Sequence, residues 1–415
     1  MLINRVISPN PSPLNSCMIS NFYKKTPQER RQILIDNQTV LSDEELHILA
    51  GKLNDETFLL DKMSENVIGA CRLPLGILTG ILVNGTEHSV AMATEEPSVI
   101  AAVNRASKLI NAAGGIITQV QPPEMIAQIS LTVPLQNIHA FQDEILKSEK
   151  QWLELANSCD PVLISNGGGA CQINTQIFNT NAESEWNEVF ITIDLHVRTA
   201  DAMGANILNT MAEKLMQEII SRYQHEYQCK PVMAILSNRA CHRMVTARCS
   251  ISNDILSDFY PSEESLGIKL HRASVFAELS PERAITHNKG ILNGIIAASI
   301  PLGQDTRAIE AAAYDYACIH GSHKPLSRWK YQNDTLIGEL TMPLVVGYVG
   351  GFRTNPAFDA AFRFARIDSY TKLCSLLSSI GLAQNMAALW ALSTEGIQAG
   401  HMKLHQRKHI DSEIP

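Results

Sequence analysis

MIAQISLTVPLQNIHAFQDEILKSEKQW, residues 125–152, changes its period halfway along. Ile129, Leu131, Val133 and Leu135 alternate with their neighbours, as a strand with one buried face requires, and Ile138, Phe141, Ile145 and Trp152 then recur at helical spacing. VFITIDLHV, residues 189–197, alternates again through Val189, Ile191, Ile193, Leu195 and Val197. A helix from Asp201 carries Leu208, Met211, Leu215 and Ile219 on one face, and short strands are expected at Val232–Leu236 and Met244–Ile251. The succession predicts an α+β sandwich of the split βαβ, ferredoxin-like kind over 125–251, with two helices covering one sheet face.

On either side of this insert the pattern turns helical. Upstream, Glu96-Pro97-Ser98 opens a segment with Val99, Val103, Ala106 and Ile110 on one face and Gly114-Gly115 beyond its end, which places Glu96 at a helix start. Thr26 to Leu60 suggests one or two surface helices. Downstream, Asn288–Ala298, Thr306–Ile319 and Tyr370–Trp390 read as helices, Met342–Val349 as a strand, and Gly396 and Gly400 as a hinge before His401. The insert thus interrupts a larger helix-rich domain, 18–124 and 252–394, in a chain of mixed α/β class. Residues 1–17, rich in Pro, Asn and Ser, are expected to be a disordered extension, with Met18 a candidate start.

With 415 residues the chain is long enough for two to three domains and a core that needs no disulfides. Nine scattered cysteines without a C-x-x-C pair suit a reducing cytoplasm. Thirty-four Lys and Arg against 42 Asp and Glu give a net charge of −8, which argues against nucleic acid as a partner. The N-terminus lacks an apolar targeting core, and Leu73–Val83 is too short for a membrane span, so no membrane anchor is expected.

The usual phosphate-binding fingerprints, GxGxxG and the P-loop, are absent. Gly167-Gly168-Gly169 follows the apolar run Val162-Leu163-Ile164 and on its own reads as a turn. Asp201-Ala202-Met203-Gly204-Ala205-Asn206 reads as a helix start with a close-packing glycine. His401, His405 and His409 would share a helix face, but no Glu follows the first His, and Lys403, Arg407 and Lys408 crowd the segment, so no metal is expected there. Asn288-Lys289-Gly290 and Gly303-Gln304-Asp305 set a cation and a carboxylate beside glycines at the edges of two helices.

Taken together these segments resemble the class II, soluble bacterial type of 3-hydroxy-3-methylglutaryl-CoA (HMG-CoA) reductases. The matching stretches, in order, are Glu65-Asn66-Val67-Ile68-Gly69 with Leu73-Pro74, Glu95-Glu96-Pro97-Ser98, Asp201 to Asn206, Leu236-Ser237-Asn238, His287-Asn288-Lys289-Gly290, Gly303-Gln304-Asp305-Thr306-Arg307 and Glu395-Gly396-Ile397-Gln398-Ala399-Gly400-His401. Seven colinear motifs are far more specific than any one of them. The resemblance implies reduction of HMG-CoA to mevalonate and coenzyme A with two NAD(P)H, and four catalytic side chains: Glu96, Lys289, Asp305 and His401. Lys289 would neutralise the developing oxyanion, Glu96 would protonate the aldehyde oxygen from a carboxyl made less acidic by burial or by Asp305, Asp305 would link Lys289 to Glu96, and His401 would protonate the departing thiolate. It further implies Arg283 as the partner of the substrate carboxylate, with Ser98 and Asn293 on the acyl part.

The same resemblance puts the nucleotide on the inserted domain, against Asp201, Ala202, Met203, Gly204, Ala205, Asn206, Asn238 and the turn after the glycines. There Gln172 stands where NAD-using relatives carry a carboxylate that repels a 2′-phosphate, which favours NADPH over NADH. It implies a homodimer, and allows a hexamer of dimers, with the site formed between subunits. Residues 395–415 would be a truncated C-terminal flap. Two other readings stay open: NAD-dependent mevalonate oxidation, and an acyl-CoA-binding protein without catalysis.

Overall fold

The computed structural model describes residues 72–179, 189–350, 353 and 355–396, with the single positions Ile33 and Met63. The expectations for residues 1–17, Thr26–Leu60, Glu65–Gly69 and His401, His405 and His409, and for most of the expected flap, lie outside the described residues. The described residues open with a hairpin, β1 (Leu75–Val83) and β2 (Thr86–Ala93), followed by α1 (Val99–Ala112), β3 (Ile117–Val120) and β4 (Glu124–Val133). Then come α2 (Ile138–Lys147), α3 (Glu149–Asn157), the single turn α4 (Pro161–Ser165), β5 (Gly169–Asn179), β6 (Val189–Arg198), α5 (Ala205–Tyr227), β7 (Lys230–Leu236) and β8 (Met244–Ser252). The remainder is α6 (Asn253–Phe259), α7 (Leu266–Leu279), α8 (Pro281–Ser299), a 3-10 turn, α9 (Thr306–Ala317), β9 (Ser327–Gln332), β10 (Thr335–Pro343), α10 (Pro356–Phe364) and α11 (Tyr370–Ser393).

The alternating stretches become β4 and β6 of the antiparallel sheet β5-β6-β4-β7, completed by the expected β7 and by β5, which was not expected from the sequence as a strand. With α2 and α3 between its first two strands and α5 between its last two, this is the ferredoxin-like order. Ile129, Leu131, Ile191, Ile193 and Leu195 form one buried face, and Phe141, Trp152, Leu208, Met211 and Leu215 cover it. Edge-on ring contacts of Tyr223 with Phe141 and Trp152 hold α5 against α2 and α3.

Several expectations need correction. Met244–Ser252 does not complete this sheet. It pairs with β10 and β3 in a second sheet, β3-β8-β10-β9, so the insert's own sheet ends at Leu236. Alternation states that a strand has one buried face, and either sheet supplies one. The strand expected over Met342–Val349 is instead β10, ending at Pro343. Beyond it the backbone turns to other partners: Leu344 N donates to Arg243 O, while Val346 O accepts from the Arg243 guanidinium. The apolar run Val162-Leu163-Ile164 is one helical turn, because Asp160 caps it by accepting from Leu163 N and Pro161 fits its first position.

The larger core gathers the hairpin, α1, α7, α8 and α11 with the inner faces of β8 and β10. Among the described residues α11 alone is long and apolar enough to cross a membrane, and 94% of its most apolar window is buried inside the protein. A helix that is apolar on every side is a core helix here. α9 belongs to both cores: Ala308 and Ala312 face the ferredoxin-like unit, while Ile309, Ala313 and Ala317 face the larger one.

Candidate active site

Lys289 and Asn293, one turn apart on α8, both reach Glu96. The Lys289 ammonium donates to Glu96 Oε2 at 2.9 Å, and Asn293 Nδ2 approaches the same oxygen at 3.4 Å. Glu96 arrives from the link between β2 and α1, where its N–H donates to Thr94 Oγ1. That link is tighter than the sequence suggests. α1 starts at Val99, two residues later than the Pro97 signal implies, because Ser98 takes a left-handed conformation (φ 79°) in front of it. A non-glycine residue held there is a locally strained position beside a candidate site. Glu96 and Lys289 retain 36% and 56% side-chain exposure, so within one chain the pair faces solvent.

The outward aim of Lys289 follows from its buried neighbours. Asn288, fully buried, donates from Nδ2 to Lys324 O and accepts at Oδ1 from Leu326 N. His287 bonds Ser327 Oγ through Nε2 at 2.7 Å, and Ser327 Oγ in turn donates to Asn385 Oδ1, which also accepts from Trp329 Nε1. Since the Ser327 proton is committed to Asn385, the His287 proton sits on Nε2, and Nδ1 is left buried without a partner. Burial, then the nearby Arg283 charge, pushes the His287 imidazole down to about 3. These inward residues fix the rotation of α8, and Lys289 is what remains on the open face.

Asp305 departs from its expected contact. Its Oδ1 caps α9 by accepting from Arg307 N and Ala308 N, and pairs with the Arg307 guanidinium at 3.2 Å. It makes no hydrogen bond or ion pair with Lys289 or Glu96. A carboxylate immediately before a helix is drawn to the helix's free N–H groups. Arg283 stands in the first turn of α8, six residues and thus one and two-thirds turns from Lys289, which turns it onto a neighbouring face. It is half-buried, burial lowers its basicity, and among the described residues it has no carboxylate partner.

Asp201, Ala202 and Met203 precede α5 rather than forming its first turn, because Gly204 (φ 99°) breaks the helix there. Asp201 is spent on architecture. Its carboxylate accepts from Tyr370 N at the start of α11, and its carbonyl accepts from Tyr348 N and Val349 N. Arg243, fully buried, donates to Met203 O at 2.7 Å, Val346 O at 2.7 Å and Ala202 O at 3.3 Å, and lies over the Tyr370 ring. Gln304 joins the same knot by accepting from Gly347 N, and a Cβ on Gly347 would collide with Met203 N. Asn238 is exposed beyond β7, and Gln172 is exposed on β5 with its amide on Asn174. Arg243 and the His287–Ser327–Asn385 chain were missed in the sequence, since partners 40 to 103 residues apart leave no periodic trace.

This arrangement fits an anionic dinucleotide. The first-turn amides of α5 have no side-chain cap, the state in which a helix start can receive a phosphate, and Gly204 before them packs closely on Thr199. An ammonium on α8 and a carboxylate in contact with it, Lys289 and Glu96, can stabilise an oxyanion and exchange a proton.

Comparison with known proteins agrees. Residues 26–406 match the family described as hydroxymethylglutaryl-coenzyme A reductase. The chain is 38% identical over 395 residues to the 3-hydroxy-3-methylglutaryl-coenzyme A reductase of Archaeoglobus fulgidus, covering 94% of this chain and 86% of that one. It is 33% identical over 366 residues to the probable reductase of Borreliella burgdorferi, covering 85% and 78%. Among solved structures, the class II reductase of Streptococcus pneumoniae bound to NADPH in open conformations superposes with a TM-score of 0.82 at 38% identity, over 91% of this chain and 100% of the other.

Proposed function

The chain belongs to the hydroxymethylglutaryl-coenzyme A reductase family, NAD(P)H-dependent oxidoreductases, and from that premise we propose how its own residues divide the work of reducing HMG-CoA to mevalonate and coenzyme A. The observation that carries the reading is the 2.9 Å contact between Lys289 and Glu96, two residues from distant segments. Lys289 supplies the positive charge facing the thioester oxygen as it becomes an oxyanion, and Glu96 delivers the proton to the aldehyde oxygen in the second reduction. Asn293 and Ser98 orient the acyl part, and Arg283 receives the substrate carboxylate, which matches a half-buried guanidinium lacking a carboxylate partner among the described residues.

The nucleotide supplies the hydrides. Asp201 to Asn206 and Asn238 would hold it, the uncapped α5 amides offering donors to an anionic phosphate. NADPH would be preferred, because Gln172 puts no negative charge at the position where a carboxylate would repel a 2′-phosphate. His401 protonates the leaving thiolate. Asp305 acts on Lys289 at longer range than a hydrogen bond. The protein works in the cytoplasm as a homodimer in which a second chain closes the open side of the Glu96–Lys289 pair.

The test follows NADPH and NADH absorbance on mixing with HMG-CoA while free thiol is scored. Two NADPH oxidised per thiol, with NADH slower, supports the reading. Acyl-CoA binding without oxidation favours a non-catalytic relative, and faster NAD reduction with mevalonate favours the catabolic direction. Lys289→Ala is expected to lower kcat by at least about a hundredfold while changing acyl-CoA affinity little, because it removes a charge needed mainly in the transition state. Comparison of steady-state rates with equilibrium binding checks this.

A further inference from the structure

A second cluster of chemically capable side chains lies apart from Glu96 and Lys289. Glu124 opens β4, His196 lies near the end of β6, and His242 precedes β8, and their ligand atoms all lie within 4.8 Å of one another. His196 is buried, and its Nδ1 sits 2.8 Å from Glu124 Oε1. Its other ring nitrogen lies 3.0 Å from the Asn174 amide. His242 is exposed, and its ring stands edge-on to His196 with centroids 5.6 Å apart. The Cys171 thiol contacts Glu124 Oε2 at 3.7 Å.

We propose that Glu124, His196 and His242 bind one first-row divalent cation of the zinc type. Two imidazoles and a carboxylate are ordinary ligands for such an ion, and ligand atoms on a tetrahedral zinc stand about 3.4 Å apart, given bond lengths of about 2.0–2.1 Å. The present spacings, 2.8 Å between His196 and Glu124 and at most 4.8 Å for the rest, bracket that value, and the exposed His242 ring is the ligand free to adjust. With Nδ1 on the metal, His196 Nε2 carries the proton, and the Asn174 amide, whose Nδ2 faces that nitrogen, becomes its acceptor by turning over to present Oδ1, which then fixes the ring. The backbone is already drawn together, since Glu124 N donates to His242 O. Water or Cys171 takes the fourth position.

The site's location gives the ion its role. His242 is followed directly by Arg243, whose guanidinium holds the Ala202, Met203 and Val346 carbonyls. A cation joining the starts of β4 and β8 to the end of β6 fastens the base of the loop that leads into α5. The expectation of a metal-free protein looked only for ligands close in sequence, and these three lie at 124, 196 and 242.

The test is titration of chelator-treated full-length protein with Zn2+ alone, followed by calorimetry and thermal melting, and with Co2+, whose visible spectrum reports tetrahedral nitrogen and oxygen ligands. To silence the C-terminal histidines, the work uses His405→Ala/His409→Ala as background. One Zn2+ per chain, a raised Tm, and at least tenfold weaker binding in His242→Ala and in Glu124→Gln are expected. Because His242 is exposed, its variant folds and the loss reads binding. Absence of binding in the background protein, or unchanged affinity in His242→Ala, overturns the proposal.

Discussion

At His287, burial converts acid into instability. The neutral ring is held inside α8, and its folded value of about 3 lies below the ordinary 6.5. Above 6.5 neither the folded nor the unfolded state binds this proton, and the site is neutral to stability. As pH falls below 6.5 only the unfolded chain takes the proton, so stability is lost down to about pH 3. Between pH 7 and 5 this residue alone is expected to cost about 2 kcal/mol. Urea unfolding at the two pH values checks it: His287→Gln, which keeps a donor for Ser327 but does not titrate, should lose that much less. Arg243 makes a prediction of another kind, because it touches the backbone of the loop before α5, proposed above to hold the nucleotide. Arg243→Met leaves three carbonyls without their donor, and it is expected to raise the nucleotide KM about tenfold while the HMG-CoA KM stays near its normal value. Equal effects on both would show a general structural defect. Neither residue announced itself by type: Asn288-Lys289-Gly290 drew attention for its cation, whereas the buried histidine one residue earlier sets how that cation is presented.

Among the elements, α8 and α11 cross closely enough for small residues to matter. A Cβ on Gly294 would come within 2.8 Å of the Gln384 Cβ, and one on Gly381 within 2.7 Å of Ile295 Cδ1. Gly294→Val therefore has to push the helices apart, with an expected loss of about 1–3 kcal/mol. Because Lys289 and Asn293 ride on the same helix, kcat should fall along with the unfolding free energy, and denaturation and rate measurements on one preparation test the pair. Periodicity located these helices well. α9 and α11 lie where their apolar spacing put them, since such spacing records one helix's own burial, and α8 contains its expected Asn288–Ala298 but starts seven residues earlier, where Ser280 caps it and Pro281 opens it. The helix starts were less legible. Ser98 and Gly204 take left-handed conformations that shift α1 and α5 toward the C-terminus, and those choices depend on what the preceding loop must reach.

For the molecule as a whole, alternation found β4 and β6 of the ferredoxin-like sheet, but it left β5 unread after the glycine run and could not assign β8 to its neighbour. That assignment depends on β10, some 90 residues later, which is a property of the assembled protein. The candidate site divides in the same way. Motifs named Glu96, Lys289 and Asn293, and the structure brings them together; motifs also named Asp305 and Arg283, which a single chain leaves apart from them. The ligands Glu124, His196 and His242 had no motif at all. α9 shows why the two units act together, because its opposite faces are buried in different cores.

The Asp201 carboxylate, which accepts from the first amide of α11, makes the loop before α5 and the central helix thermodynamic partners. Ordering that loop slows the breathing of the helix end, and by reciprocity a firmer helix end tightens the loop's grip on its ligand. Deuterium uptake at Tyr370 and the next few amides is therefore expected to slow when NADPH is added, although those amides lie in another core. In Asp201→Asn the retardation should shrink, and uptake that ignores the nucleotide in the unmodified protein would sever the link. On this view the core helix is an exchange-rate gauge for occupancy at a distance, readable without any turnover.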